Sequence, residues 1–383
     1  MNVLGICAGY IPSVRLCGDI QLKYLESNGK LKYCFKLNNE VNSKDLIWAD
    51  ILYIIRGDST VCVEYAKYCI KNKKPVIYIL DDNLLEIPSN LAASKFYEKE
   101  ETRNAIKKLI EMSNGFVSPS TKLIEKYGLE THKILQIIEP SLDPIKTKEK
   151  ANDGKIHIGF AGSIDHSSDA KTMLGDVFFE IKNKYKDKVC IELFGTKTEL
   201  SKKVELEEHP FVDSYEEYQE KMKQFNWDIG LAPLPSSYFN SFKHYNKLVE
   251  YETYGIVGIY SNVVPFTFAV KDKYNGLLVE NNKESFINAI ETLINDENLR
   301  TSIQKNCIEE ANTKYSLEES ANQLYEYLKL FTLSRTNKKY SMFKLSIKLK
   351  LSKFKYFFGK IKIYGIKTPI VILRKIKHKV FKK

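Results

Sequence analysis

Nowhere does this chain of 383 residues hold an unbroken apolar run of the roughly 18 residues that a membrane-crossing helix needs. The body of the chain is therefore expected to fold in water. Cysteine is sparse: the seven residues Cys7, Cys17, Cys34, Cys62, Cys69, Cys190 and Cys307 are odd in number and scattered, with no C-x-x-C pair and no histidine cluster at zinc spacing. This argues against a disulfide framework and reads as buried free thiols. No basic segment precedes the apolar start, so Met1 to Cys7 reads as a first strand and not as a secretory signal, and the expected compartment is the cytosol. There is no short-period repeat and no low-complexity segment apart from the C-terminus. The most uneven absence is of acid. Between Arg335 and Lys383 stand 17 Lys and Arg and not one Asp or Glu, so residues 1–334 carry 42 basic against 48 acidic residues. The formal charge of +11 thus hides a mildly acidic body and a strongly basic tail, whose partner must be anionic.

At this length two domains of roughly 150 residues each are expected. Apolar, β-rich runs at Val3 to Cys7, Tyr33 to Leu37, Ile51 to Ile55, Val76 to Leu80, Phe116 to Ser118 and Ile134 to Ile138 alternate with amphipathic stretches. The alternation predicts an α/β fold, a parallel sheet covered on both faces. Glu139 to Asp153 is polar, holds two prolines and a run of charges, and reads as a linker. The scheme then repeats at Ile156 to Phe160, Val189 to Phe194, Ile229 to Ala232, Val257 to Tyr260 and Leu277 to Val279. Helical periodicity follows over Glu284 to Asn295, Asn298 to Thr313 and Leu317 to Phe331. The expected organisation is two Rossmann-like, doubly wound domains over residues 1–140 and 154–334, a linker over 141–153 and a basic tail over 335–383, with function in the loops outside the carboxyl ends of the strands.

The stretch from Tyr238 to Gly255 carries the most chemistry. Its centre reads as a helix ended by Gly255, a typical residue for the left-handed position past a helix end. Lys243, Lys247 and Glu250 then stand at i, i+4 and i+7 and share a face near the helix start. Two ammonium groups beside a helix N-terminus suit a diphosphate, and a carboxylate two turns on suits the hydroxyls of a ribose. The same spacing also fits an ordinary solvated face with an ion pair between Lys247 and Glu250. Farther upstream, Gly162 permits close backbone approach to a ligand, while Ser163, His166 and Asp169 sit where the chain turns into a helix, positions equally suited to a plain helix cap.

The Tyr238–Gly255 segment resembles the donor-site motif of bacterial glycosyltransferases of the GT-B fold, particularly retaining, family 4-like enzymes, which runs F-N-x-x-K-S-x-x-K-x-x-E-Y followed by G-x-P-V. Phe239, Asn240, Lys243, Lys247, Glu250, Tyr251 and Gly255 match, and Gly276-Leu277-Leu278-Val279 is similar to a second family signature. The chain departs from the pattern at His244, where Ser is usual, at Val257, where Pro is usual, and at Phe242, where other members place the first glutamate of an E-x7-E pair. Ile158 to Asp169 looks like the first strand and loop of a donor domain, and Trp227 to Leu234 like the strand lining a donor pocket. The resemblance implies two domains facing each other across a cleft. It implies a nucleotide diphosphate sugar held by Gly162, Ser163, His166, Asp169, Asn240, Lys243, Lys247 and Glu250, with no required metal and no cofactor. It further implies transfer with retention to a cell-surface glycan or lipid-linked acceptor.

In the first domain, Asp81-Asp82 ends a buried strand, and a similar pair occurs in related sugar transferases. Lys243, Glu250, Asp81 and Asp82 are the candidate catalytic residues. Arg15, Arg56 and Asp82 are the candidate acceptor contacts, although a helix cap and a structural ion pair account equally well for one Asp and an Arg. In the tail, Phe343, Ile347, Leu351, Phe354, Phe358 and Ile361 fall on one helical face among lysines, while Leu345 and Leu349 leave a strand reading open. Such a segment reads as an anchor to an anionic membrane surface, each Lys or Arg adding roughly 1 kcal/mol. The tail has no recognisable nucleic-acid module. The expected location is therefore the inner face of the cell membrane, peripherally bound.

Overall fold

The structure is a computed structural model describing residues 1–149, 153–162, 167–195 and 206–331, with side chains of the 167–185 helix described from residue 174. The expectations placed on the 335–383 tail lie outside these residues. The described chain divides into two compact units, one of residues 1–118, 123–137 and 323–331, the other of residues 119–122 and 138–322.

Each unit holds one six-stranded parallel sheet. In the first, β1 (Asn2–Cys7), β2 (Lys32–Leu37), β3 (Ile51–Ile55), β4 (Val76–Ile79), β5 (Gly115–Ser118) and β6 (Lys133–Gln136) are ordered β2-β1-β3-β4-β5-β6. β3 and β4 are buried along their whole length, as expected of strands covered by helices on both faces. In the second, β7 (Ile156–Ala161), β8 (Val189–Phe194), β9 (Glu207–His209), β10 (Ile229–Ala232), β11 (Val257–Ser261) and β12 (Leu277–Val279) are ordered β12-β11-β10-β7-β8-β9. This is the strand order of dinucleotide-binding sheets, and it reverses between β7 and β10. The doubly wound α/β architecture is as expected. β9 was not anticipated, because its Glu-Glu-His sequence has no apolar residue to mark it.

The two faces of the second sheet pack differently. On one, Ile158, Phe160, Ile191, Leu193, Ile229, Leu231, Val257 and Ile259 meet the helices on that side in an aliphatic core. On the other, Gly159, Gly230 and Gly258 stand in register across β7, β10 and β11. A Cβ added there would lie 1.8 Å from the Trp227 ring, 2.6 Å from Tyr251 and 2.0 Å from the Tyr260 hydroxyl. The row of missing side chains is what lets these three buried rings pack close against the strands.

The boundary at the C-terminus differs from the expected one. Residues 323–331 belong with the first sheet because Tyr327 packs over Gly115, which has no side chain to obstruct it, and its hydroxyl donates to the Lys133 carbonyl at 2.6 Å. Residues 141–149 of the expected 141–153 linker fold with the second unit: Ile145 N–H donates to the Thr253 carbonyl, and the half-buried Lys148 ammonium donates to the carbonyls of Trp227 and Tyr254. No helix among the described residues is long and apolar enough to cross a membrane.

Candidate functional site

In an open parallel sheet, the strand ends at the point of reversal leave a crevice, because the connections on either side run to opposite faces. In the second unit that point lies between β7 and β10. β7 runs into Gly162, whose N–H donates to the Phe194 carbonyl at 3.0 Å, and Gly195 follows with φ of +77° and its Cα facing the Gly162 carbonyl. The ends of β7 and β8 are thus brought close by two glycines. Ser163 and His166 lie outside the described residues, and of Asp169 only the helical backbone is described.

The connection leaving β10 is held by hydrogen bonds to its own neighbours. Leu234 N–H donates to Ser261 Oγ at 2.8 Å, Asn281 Nδ2 donates to the Leu234 carbonyl at 3.0 Å, and Asn240 Nδ2 donates to the Pro235 carbonyl at 2.8 Å. Asn240, a candidate donor contact, therefore braces the loop. A short 3-10 turn over Asn240–Phe242 precedes the helix Asn246–Thr253. Here the structure corrects the expected helix. Lys243 lies before it in extended backbone (φ −68°, ψ 160°), so only Lys247 and Glu250 share a helical face. Two features delay the helix: Tyr245 departs from helical dihedrals, and the imidazole of His244 turns inward, against the Tyr245 ring and 3.5 Å from the buried Glu139. The helix ends as expected. Gly255 has φ of +59°, its N–H donates to Glu252 O and that of Ile256 to Tyr251 O, the paired bonds of a Schellman ending.

Lys247 Nζ lies 2.6 Å from Glu250 Oε1, the ion pair that its spacing also predicted. The Tyr218 hydroxyl donates to the same oxygen at 2.9 Å and stands 3.2 Å from Lys247 Nζ. Sequence reasoning missed Tyr218. It comes from the helix Tyr215–Gln224, and its ring stacks 5.0 Å from that of Phe194 at the end of β8. Burial, with the Glu250 charge next, pushes the Tyr218 phenol far above its ordinary value, so it stays a neutral donor. Glu250 Oε2 is unengaged, and Lys243 pairs with no carboxylate, among the described residues. Lys247, Glu250 and Tyr218 bring one ammonium, one carboxylate and one phenol together near the start of a helix, with Lys243 in the extended segment that leads into it, a set suited to an anion joined to a hydroxyl-bearing group. Phe242, which stands where a glutamate is usual, is buried edge-to-face with Tyr238 and offers no carboxylate.

In the first unit the sheet reverses between β1 and β3. Arg56 follows β3 with φ of +50°, and its Nη1 lies 3.3 Å from Ser13 Oγ, 3.1 Å from Asp81 Oδ2 and 3.5 Å from Asp82 Oδ2. Burial alone would lower the basicity of the guanidinium, but Asp81 and Asp82 outweigh it and raise it, so Arg56 is fully charged and already paired. Asp81 keeps Oδ1 buried without a hydrogen-bond partner. Arg15 lies apart from this ion pair in sequence, half-buried at the start of a kinked turn in which Cys17 and Gly18 leave helical dihedrals.

No protein-family model matches the chain, and no curated protein matches it in sequence. Solved structures do match in fold. The chain is similar to Anabaena Alr3699/HepE, crystallised with UDP-glucose, at a TM-score of 0.57 and 15% identity over 86% of this chain and 100% of that one. A putative UDP-N-acetylglucosamine 2-epimerase from Listeria monocytogenes matches at a TM-score of 0.55 and 11% identity, over 89% and 99%. A point mutant of Staphylococcus aureus TarM, crystallised with Fondaparinux, alpha-GlcNAc-glycerol and UDP, matches at 0.52 and 14%, over 82% of this chain and 58% of TarM. With two doubly wound parallel sheets in this order, the fold is GT-B.

Proposed function

We propose that the chain is a glycosyltransferase that takes a sugar from a nucleotide diphosphate carrier and gives it to a glycan or lipid-linked acceptor. The observation that carries this reading is the Lys247–Glu250–Tyr218 cluster at a helix start beside the reversal point of a dinucleotide-ordered sheet. Structures of the same fold hold UDP or UDP-glucose, which supports a uridine diphosphate sugar as the first donor to test.

In this reading Lys243 and Lys247 neutralise the diphosphate, with the helix N-terminus adding its partial positive charge. Lys247 exchanges part of its contact with Glu250 for phosphate, and Glu250, held by Tyr218, accepts hydrogen bonds from the ribose diol. As the bond from the anomeric carbon to the diphosphate breaks, charge grows on the leaving oxygen, where the two ammonium groups act most strongly. Retention follows if the acceptor hydroxyl attacks from the face the diphosphate leaves and gives its proton to a leaving-group oxygen. Gly162, Ser163, His166 and Asp169 complete the donor side. Asp81, Asp82 and Arg15 act on the acceptor side, with Arg56 positioning the two aspartates rather than binding a diphosphate itself. The basic tail holds the enzyme to the anionic inner face of the membrane, where a lipid-linked acceptor resides.

The test is titration calorimetry of the full chain with UDP, GDP and their sugars, in wild type and in Glu250→Ala and Lys243→Ala. Binding of one nucleotide, weakened in both variants, is expected, and no binding to any nucleotide overturns the reading. Incubating the bound UDP-sugar with glycan acceptors then separates the chemistries. Transfer supports the transferase, interconversion of the free UDP-sugar marks an epimerase, and binding without turnover marks a non-catalytic sugar-nucleotide binder.

A further inference from the structure

Three neighbouring strands of the second sheet place ligand-bearing side chains together on one face. His157 on β7 is in register with Cys190 on β8, Glu192 lies two residues along β8, and Glu207 on β9 is in register with Glu192. Alternation of side chains across a strand puts Cys190 and Glu192 on the same face, and Glu207 and His209 likewise. The donor atoms of His157, Cys190 and Glu192 all lie within 4.8 Å of one another. His157 Nδ1 is 2.9 Å from Glu192 Oε1, and its Nε2 is 3.3 Å from both oxygens of Asp153. His209 Nε2 is 3.0 Å from the other Glu192 oxygen, and the Cys190 thiol points to Glu207 Oε1 at 3.4 Å.

We propose that this face binds one divalent ion of the zinc type through His157 Nδ1, Cys190 Sγ and a Glu192 oxygen, a site separate from the nucleotide cluster. The donor set decides the ion. Thiolate and imidazole together favour zinc over the hard cations magnesium and calcium. In tetrahedral zinc the ligand atoms stand about 3.3–3.8 Å apart, so closing the present spacing takes a contraction of about 1 Å, within the reach of side-chain torsions. The surrounding groups match what ligands of a metal need behind them. Asp153 accepts from the distal nitrogen of His157 and fixes Nδ1 as the ligating atom, and His209 holds the second oxygen of Glu192. On binding, the Cys190 S–H bond and the His157 Nδ1–H bond that faces Glu192 are each replaced by a bond to the metal, and both protons leave to solvent, Glu207 being the acceptor already facing the thiol. Three protein ligands leave the fourth position to water, and Glu207, exposed on the edge strand, marks the way in. Cys190 and Glu192 are nearly enclosed on a sheet, so the site is built on rigid backbone.

The test uses the full chain titrated with Co2+ and Zn2+. One equivalent of Co2+ per chain with a thiolate-to-cobalt charge-transfer band, displaced by Zn2+, is the expected result. Cys190→Ser is expected to lose the band, and Asp153→Asn, an exposed change that leaves the core intact, is expected to weaken Zn2+ binding about 10–100-fold. Cys34→Ser, altering a thiol of the first unit, keeps both. Absence of stoichiometric binding in wild type, or an unchanged band in Cys190→Ser, overturns the proposal. Neither readout involves nucleotide or sugar transfer, so its failure is distinct from failure of the proposed function.

Discussion

Both units carry a charged cluster where their sheet reverses, and the two clusters have opposite balance. After β3 of the first unit, one guanidinium faces two carboxylates, Arg56 against Asp81 and Asp82. At the Asn246–Thr253 helix of the second, the Lys247 ammonium faces the single carboxylate of Glu250, while Lys243, in the extended segment before the helix, pairs with no carboxylate among the described residues. In the first, two carboxylates share one guanidinium; in the second, a further lysine outside the ion pair stands just ahead of the helix. A strand-end position therefore does not make an anion site; the local count of charges does. An acceptor diphosphate on Arg56, suggested by its strand-end position, would compete with two aspartates already in place.

The largest expected effect lies beneath the second cluster. Gly159→Ala sets a methyl group into the buried Trp227 ring, and because backbone must move, a loss beyond about 4 kcal/mol or failure to fold is expected, read by urea denaturation. Arg56→Ala leaves Asp81 buried and unpaired, so a loss of about 3–5 kcal/mol is expected. Its nucleotide affinity by calorimetry should be unchanged, and a nucleotide defect there would break the contrast between the clusters. Glu250→Ala should do the converse, lowering nucleotide affinity by about 2 kcal/mol, roughly 30-fold, while shifting the melting temperature little, since Lys247 is partly solvated.

A smaller effect should appear in pH dependence. Glu252 follows in the same helix but points into the core, where Asn275 Nδ2 is shared between it and Glu310 and its Oε2 has no partner. Burial, then the Glu310 charge, pushes its carboxyl up from 4.5 to about 9. Between those values the folded chain holds a proton that the unfolded chain releases, so this group's contribution to stability falls as pH rises, by at most about 1.4 kcal/mol per pH unit. Glu252→Gln should flatten that decline, visible as a smaller difference in melting temperature between pH 5 and pH 8 buffers. An unchanged slope would mean that Glu252 is ionised in the folded chain.

How much was legible follows the reach of each signal. Apolar runs marked β1 to β8 and β10 to β12: interior strands such as β3 and β4 are buried and apolar along their length, and the partly exposed edge strands β2 and β6 keep enough apolar residues to show. That signal passed over β9, whose polar residues pair at an edge. Gly255 announced the helix end, because a left-handed residue is a local demand. The helix start was misread, since the inward turn of His244 toward Glu139 is a contact made about a hundred residues away along the chain.

Local pattern thus determined the two parallel sheets, the Lys247–Glu250 spacing and the glycine that ends their helix, because each depends on periodicity or on a single residue's backbone freedom. Tertiary structure alone decided that Arg56 is paired, that Tyr218 comes to Glu250, and that His157, Cys190 and Glu192 share one face. These are meetings of side chains from separate strands and helices. Their distances are set by sheet register and helix packing, which no stretch of sequence contains by itself.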